Sequence, residues 1–263
     1  MTIIHLSSFP SLRPKPPNDL LRIGGSHDGG YLISKSAVSK SRYLLSFGLS
    51  YDIEFENDFV NFDSNPRIAY MYDASTKPYS PEKIFSVILA CLRYISYRPA
   101  LNFLSFLKKR KSLLRTGSVF FRTNVSDSPN KSCVTLTQSL LAITETKRKD
   151  IFLKIDIEGD EFLILPEIVD NLDFFSGIVL EFHRASAFWS MMTSFIESLK
   201  EGGMFLDHIH VNNYGNLSPK LLPNVIELSF SRTTLRNESV KRLPIKSIDS
   251  PNSPLRSDYE VIF

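Results

Sequence analysis

Three short segments gather the side chains that could do chemistry. Asp156-Ile157-Glu158-Gly159 is followed by Glu161, then comes Glu181-Phe182-His183-Arg184, and His208-Ile209-His210 lies beyond. Three of the five histidines fall in these segments. An imidazole titrates near neutrality and a nearby carboxylate can orient it. The set can therefore take a proton from a substrate hydroxyl or amine. Asp156, Glu158, His183 and His210 are the candidate catalytic residues, with His183 or His210 as base and Asp156 as its orienter. A sharper version places a divalent metal on Asp156, His183 and His210, an oxygen and nitrogen set suited to such a cation. The structural alternative is carboxylates that cap helices and histidines satisfied within a hairpin.

Such residues need strands to carry them. Apolar runs at 43–47, 67–72, 119–122, 151–157, 178–182, 204–211 and 225–230 predict strands. Helical spacing at 52–62, with Asp52 as N-cap, and at 188–200 predicts helices between them, as does the composition of 80–115 and 135–144. Alternating strands and helices imply a doubly wound α/β fold with a mostly parallel sheet. Ligands of such a sheet bind at the carboxyl ends of its strands, where the acidic and imidazole residues fall. Residues 1–21, with Pro10, Pro14, Pro16 and Pro17, predict an extended leader on the surface of a single domain spanning 22–263.

Gly48 closes the first strong strand, and Asp73 closes the next. A small residue there lets a ligand approach the backbone, and a carboxylate after the second strand can accept from ribose hydroxyls. The segment lacks the glycine pattern of a pyrophosphate site, and Asp52, Glu54 and Glu56 open the following helix. A nucleoside without phosphates, such as S-adenosylmethionine, fits better than a dinucleotide. The glycine-rich stretch from Arg22 to Tyr31 could fold over that cofactor, with Arg22, Asp28 and Gly29 at hand. Asp28-Gly29 equally signals a hairpin turn, and the two readings are compatible.

Composition narrows the classes. The 263 residues are 43% hydrophobic and 22% charged, enough for one large core and too apolar for disorder. Two cysteines, Cys91 and Cys133, exclude a disulfide scaffold and a cysteine zinc site and favour a reducing compartment. A net charge of +3 gives no reason to expect a nucleic-acid partner. The amino-terminal residues lack the features of a signal peptide, and no apolar run is long enough to span a bilayer. The expected location is cytoplasmic, with attachment to the inner face of a membrane as an option.

The motifs Arg-x-Gly-x-x-x-Asp-Gly-Gly-Tyr (22–31), Ser-Phe-Gly-Leu-Ser-Tyr-Asp-Ile-Glu-Phe-Glu (46–56), Leu-Lys-Ile-Asp-Ile-Glu-Gly-Asp-Glu (153–161), Glu-Phe-His (181–183) and His-x-His-x-Asn-Asn-Tyr (208–214) resemble the FkbM-type methyltransferases. The tail from Ser250 to Tyr259 is also similar to that family. Lys-Ile-Asp-Ile-Glu-Gly is the most specific piece. The resemblance implies a class I, Rossmann-like methyltransferase with a seven-stranded sheet, its last strand antiparallel. It further implies that Gly48 and Ser50 lie under the methionine part of S-adenosylmethionine. Asp73 would hold the ribose, Asn124 and Val125 would lie near adenine, and Asp156 and Glu158 would flank the methyl. O-methylation of a sugar in polysaccharide biosynthesis, or of a glycosylated natural product, is the activity it suggests.

A helical insertion at about 78–116 carries the apolar residues Ile84, Phe85, Ile88 and Leu89 and the basic run 108–111. Residues 84–111 are expected either to touch an anionic membrane surface or to form a lid or subunit contact. Two other functions compete. Asp156-x-Glu158 could clamp the metal of a nucleotide-sugar glycosyltransferase, or the fold could serve as a cofactor-binding scaffold without turnover.

Overall fold

The computed structural model describes residues 2–130, 132–144 and 148–263. Its central sheet has seven strands: β1 (Tyr43–Phe47), β2 (Ile68–Tyr72), β3 (Val119–Phe121), β4 (Ile151–Ile155), β5 (Phe175–His183), β6 (Phe205–Val211) and β7 (Val225–Ser231). Their spatial order is β6-β7-β5-β4-β1-β2-β3. β7 runs antiparallel to both β5 and β6, and the remaining pairs are parallel. This is the doubly wound sheet that the strand and helix pattern predicts, with the antiparallel last strand that the resemblance implies.

Side-chain alternation gives the sheet two cores. Leu45, Phe47, Leu153, Ile155, Ile178 and Leu180 pack toward α5 (Leu136–Leu141), α6 (Leu165–Asp170) and α7 (Trp189–Glu201). On the other face, Leu44, Phe152 and Val179 meet α1 (Lys35–Lys40), α2 (Glu54–Val60) and α4 (Arg98–Arg115). Thr135 caps α5 through a reciprocal capping box with Gln138. α2 begins two residues after the expected cap: Asp52 Oδ1 accepts the Glu54 N–H in a turn, while Ile53 holds the N-cap position. The insertion is a hairpin of α3 (Pro81–Arg93) and α4.

The leader is not a surface strap. Ile3–His5 pairs in parallel with Glu260–Ile262, and Ile4, Leu6 and Leu12 are buried in the first core. The proline density concealed three apolar side chains that need a partner from the far end of the chain. The glycine-rich segment forms the turn of an antiparallel hairpin, Leu20–Ile23 with Tyr31–Ser34. Among the described residues no helix is long and apolar enough to cross a membrane.

Candidate active site

The carboxyl ends of β1, β2 and β4 converge as a parallel sheet requires. Gly48 follows β1 with φ +77°, and a Cβ there would lie 1.5 Å from the Asp156 carbonyl oxygen. Only glycine lets these two chain segments touch. A cavity of about 340 Å³ opens above them, walled by Gly48, Leu49, Ser50, Asp73, Asn124, Val125, Asp156 and Glu158, among others. The structure thus brings together every residue predicted along the strand ends for the cofactor.

Asp73, expected at the ribose, organises the loop beside it. Its Oδ2 accepts the N–H groups of Leu49 and Ser50, each at 3.0 Å. Its Oδ1 accepts from Ser75 N, Ser75 Oγ and Thr76 N. Burial raises the Asp73 pKa, but these hydrogen bonds outweigh it and hold the group below its ordinary value. Five donors on one carboxylate leave little acceptor capacity, so a ribose hydroxyl would have to share or displace one. Asp73 therefore shapes the loop 48–50 as well as facing the cavity.

A second cavity of about 510 Å³ adjoins the first and shares Leu49, Ser50, Asp156 and Glu158 with it. Asp28, Gly29, Asp52, Glu56, Lys154, Glu181, His183, Asn212 and Tyr214 help line it. Ser50 and Glu158 both have positive φ, +53° and +58°. Such conformations in residues other than glycine cost of order 1–3 kcal/mol and cluster at functional sites. Here they lie on the shared wall, where a group could pass from one cavity to the other.

The ionisable groups of the second cavity form linked pairs. Lys154 is buried between Glu56 Oε1 (3.0 Å) and the Gly48 carbonyl (3.2 Å). Burial lowers its pKa, but Glu56 and Asp156 outweigh that and hold it above its ordinary value. Ser46 Oγ also donates to Glu56. The Tyr31 hydroxyl donates to Glu181 (3.2 Å) with Asp156 at 3.4 Å, and Asn212 Nδ2 donates to Glu181 at 2.7 Å. Burial, Asp156 and Glu227 push Glu181 well above the usual carboxylate range. Burial also raises Asp156, against the opposing pull of Lys154 and His183.

His183 has the geometry of a base. Its Nδ1–H donates to Glu161 Oε1 at 2.9 Å, which leaves Nε2 as the accepting nitrogen, 3.4 Å from Glu158 and 4.0 Å from Glu181. Glu161 is fully buried and is fixed by the N–H groups of Ile157 and Gly159. Burial depresses the His183 pKa, but the Glu161 hydrogen bond and nearby carboxylates outweigh it and raise the group. The carboxylate hydrogen-bonded to His183 is Glu161, not the expected Asp156. The acidic density of 156–161 was the available signal, but choosing Glu161 requires the turn at Glu158 and Gly159.

Three predicted placements are corrected. His210 is directed away from both cavities: its Nδ1 lies 3.4 Å from Asp249 and its Nε2 3.7 Å from Asp258. Burial opposes its charge, but the Asp249 hydrogen bond and neighbouring carboxylates raise it to about 9, which favours the imidazolium at neutral pH. Arg22 spends its guanidinium on the carbonyls of Gly30 and Ile248 and lines neither cavity. Asp28 and Gly29 line the second cavity, not the first, because the hairpin packs over α2. The expected metal set also changes. Among the described residues the trio whose ligand atoms can converge is Asp156, Glu158 and His183, all within 4.8 Å of one another. Tyr31, Lys154 and Asn212 join the site without having been singled out. A lysine inside an otherwise apolar strand was the clearest signal among them.

A cleft at the strand ends of a β6-β7-β5-β4-β1-β2-β3 sheet is the architecture of class I methyltransferases, whose methyl donor is S-adenosylmethionine. The chain belongs to the FkbM methyltransferase family, whose methyltransferase FkbM domain matches residues 43–206, more than half of its length. The match is narrower than the resemblance read over 22–263. It also sets the nucleotide-sugar glycosyltransferase aside. A comparison with curated proteins returns no match. Among solved structures the chain is similar to a precorrin-6y C5,15-methyltransferase from Geobacter metallireducens GS-15, at 11% identity, 74% and 86% coverage of the two chains and a TM-score of 0.36. It is also similar to the methyltransferase domain of a bacterial Hen1 (9% identity, 73% and 91% coverage, TM-score 0.37). A third is the M. jannaschii TYW2 protein in complex with AdoMet (8% identity, 78% and 83% coverage, TM-score 0.35). Family membership rests on the sequence match, not on these three.

Proposed function

We propose that the protein is an O-methyltransferase whose acceptor is a sugar hydroxyl. The observation that supports this best is the His183–Glu161 pair on the wall of the cavity that adjoins the cofactor cavity. The backbone approach at Gly48 and the cavity above it fit S-adenosylmethionine. Gly48, Ser50, Asp73, Asn124 and Val125 would hold it. When bound it supplies an electrophilic methyl on a sulfonium. His183 Nε2 takes the acceptor's hydroxyl proton as the oxygen becomes the nucleophile, and Glu161 stabilises the imidazolium that forms. Asp28, Asp52 and Asn212 offer polar partners to the remaining sugar hydroxyls, and the half-exposed Tyr214 ring offers a flat apolar face.

A second reading keeps a divalent cation on Asp156, Glu158 and His183, which the convergence of their ligand atoms supports. It would hold the acceptor oxygen and replace proton removal by His183. The test has two stages. Calorimetric titration with S-adenosylhomocysteine is expected to give micromolar binding that His183→Gln leaves intact; no binding to folded protein would end the proposal. Release of S-adenosylhomocysteine is then followed over a panel of saccharides with and without EDTA. Sugar-dependent release unaffected by EDTA is the expected result. Loss of release in EDTA would favour the cation, and release with amines alone would remove the sugar hydroxyl.

A further inference from the structure

The α3–α4 hairpin carries a feature that methyl transfer does not use. None of the thirteen residues of α3 is buried. Phe85, Ile88, Leu89 and Leu92 follow helical spacing along one stripe and are 52–70% exposed, and Ile95 just beyond the helix is 95% exposed. Tyr94 and Tyr97 stand exposed in the turn between the helices. A contiguous apolar stripe of this kind marks an interaction surface. α4 secures the hairpin from its inner side: Phe106 and Leu113 are buried in the second core, Phe106 packs on Tyr51, and Lys109 pairs with Glu54.

Charge decides what covers the outer side. Residues 77–115 hold nine of the chain's 31 basic residues and one of its 28 acidic ones, so the insertion carries +8 and the rest of the chain −5. Arg93, Arg98, Lys108, Lys111 and Arg115 are exposed. Two copies meeting through this surface would bring two such clusters together. An anionic bilayer instead takes the apolar stripe among its acyl chains, the tyrosines at the headgroups and the cations against lipid phosphates. The negative remainder of the molecule favours one orientation on that surface. We propose that the hairpin is a membrane-docking element for anionic lipid surfaces. The proposal rests on the hairpin alone and holds whatever acceptor the site takes. It also has a consequence for the site: Ser75 lines the cofactor cavity and α3 starts at Pro81, so at most about 20 Å of chain separates the cavity wall from the docked helix.

Flotation of the full chain tests this, with vesicles of phosphatidylcholine alone and with about one third phosphatidylglycerol. The protein is expected to float with the anionic vesicles only and to be released by high salt. The pair Lys108→Gln and Lys111→Gln should lower partitioning about thirtyfold. The pair Ile88→Ser and Leu92→Ser should lower it tenfold or more. All four positions are exposed and outside both cavities, so circular dichroism and S-adenosylhomocysteine affinity should not change. Absence of flotation, or flotation that neither pair weakens, would overturn the proposal. So would a dimer in sedimentation equilibrium that the Ile88 and Leu92 pair dissolves.

Discussion

Gly48 and His183 show how much single side chains decide. A Cβ at position 48 would lie 1.5 Å from the Asp156 carbonyl oxygen, so Gly48→Ala must push β1 and β4 apart at the cofactor cavity. Titration calorimetry should find S-adenosylhomocysteine affinity reduced at least a hundredfold while circular dichroism still reports a folded sheet. With His183 as the proposed base, the sign follows from its raised pKa: activity rises with pH through an inflection above the ordinary histidine value. Glu161→Gln removes the main support of the charged form. The pH–rate inflection should then move down, and the plateau rate should fall because Nδ1 is less firmly oriented. His183→Gln should lower kcat by about 10²–10⁴ with little change in cofactor affinity. An unmoved inflection in Glu161→Gln would show that a different group is the base.

At the scale of elements, β5, β7 and β6 place Glu181, Glu227 and His210 directly opposite one another. The Glu181–Glu227 pair is unfavourable when both are charged, His210 on the other side of Glu227 offsets it, and the fold adds partners from distant segments. Asn212 donates to Glu181, and Asn252 in the carboxyl-terminal tail donates to Glu227 at 2.6 Å. Asp249 of the same tail contacts both His208 and His210. His210 gains a folded-state pKa of about 9 against an unfolded value near 6.5. Its contribution to stability is thus complete below about pH 6.5 and is lost as pH rises through about 9. The amount is on the order of 3 kcal/mol. Thermal unfolding should show wild-type stability falling across that window, and His210→Gln should show a shallower fall from a lower starting point. Equal slopes would mean that the tail is held by other contacts.

Across the whole molecule, what could be read in advance divides by contact range. The alternating strands and helices and the Gly48–Asp73–Asp156 corner follow from local runs and from the rule that ligands sit at strand ends, while the antiparallel β7 was legible only through the family resemblance. The roles of Glu161, Arg22 and His210 depend on partners set by a turn, a hairpin and a tail that periodicity does not place. The amino-terminal residues are the clearest case. Their prolines predict an exposed leader, yet Ile4 and Leu6 are at most 1% exposed. Ile4→Asp buries a charge with no partner and should cost about 3 kcal/mol or more. The melting temperature should drop by several degrees, while S-adenosylhomocysteine affinity measured well below the melt should stay within threefold. An unchanged melt would mean that the leader contributes nothing to the core.

The ladder between Ile3–His5 and Glu260–Ile262 also sets an order of events during synthesis. Within this domain the strand Ile3–His5 cannot take its place until its partner, Glu260–Ile262, has been made. Asp249 and Asn252, which complete the polar row across β5, β7 and β6, emerge in the same closing stretch. A ribosome stalled before those codons would hold a nearly finished sheet with Glu227 lacking its Asn252 donor, His208 and His210 lacking Asp249, and Ile3–His5 without its strand partner. The domain would stay exposed to chaperones and proteases until residues 249–262 had emerged, and the paired strands would then close it.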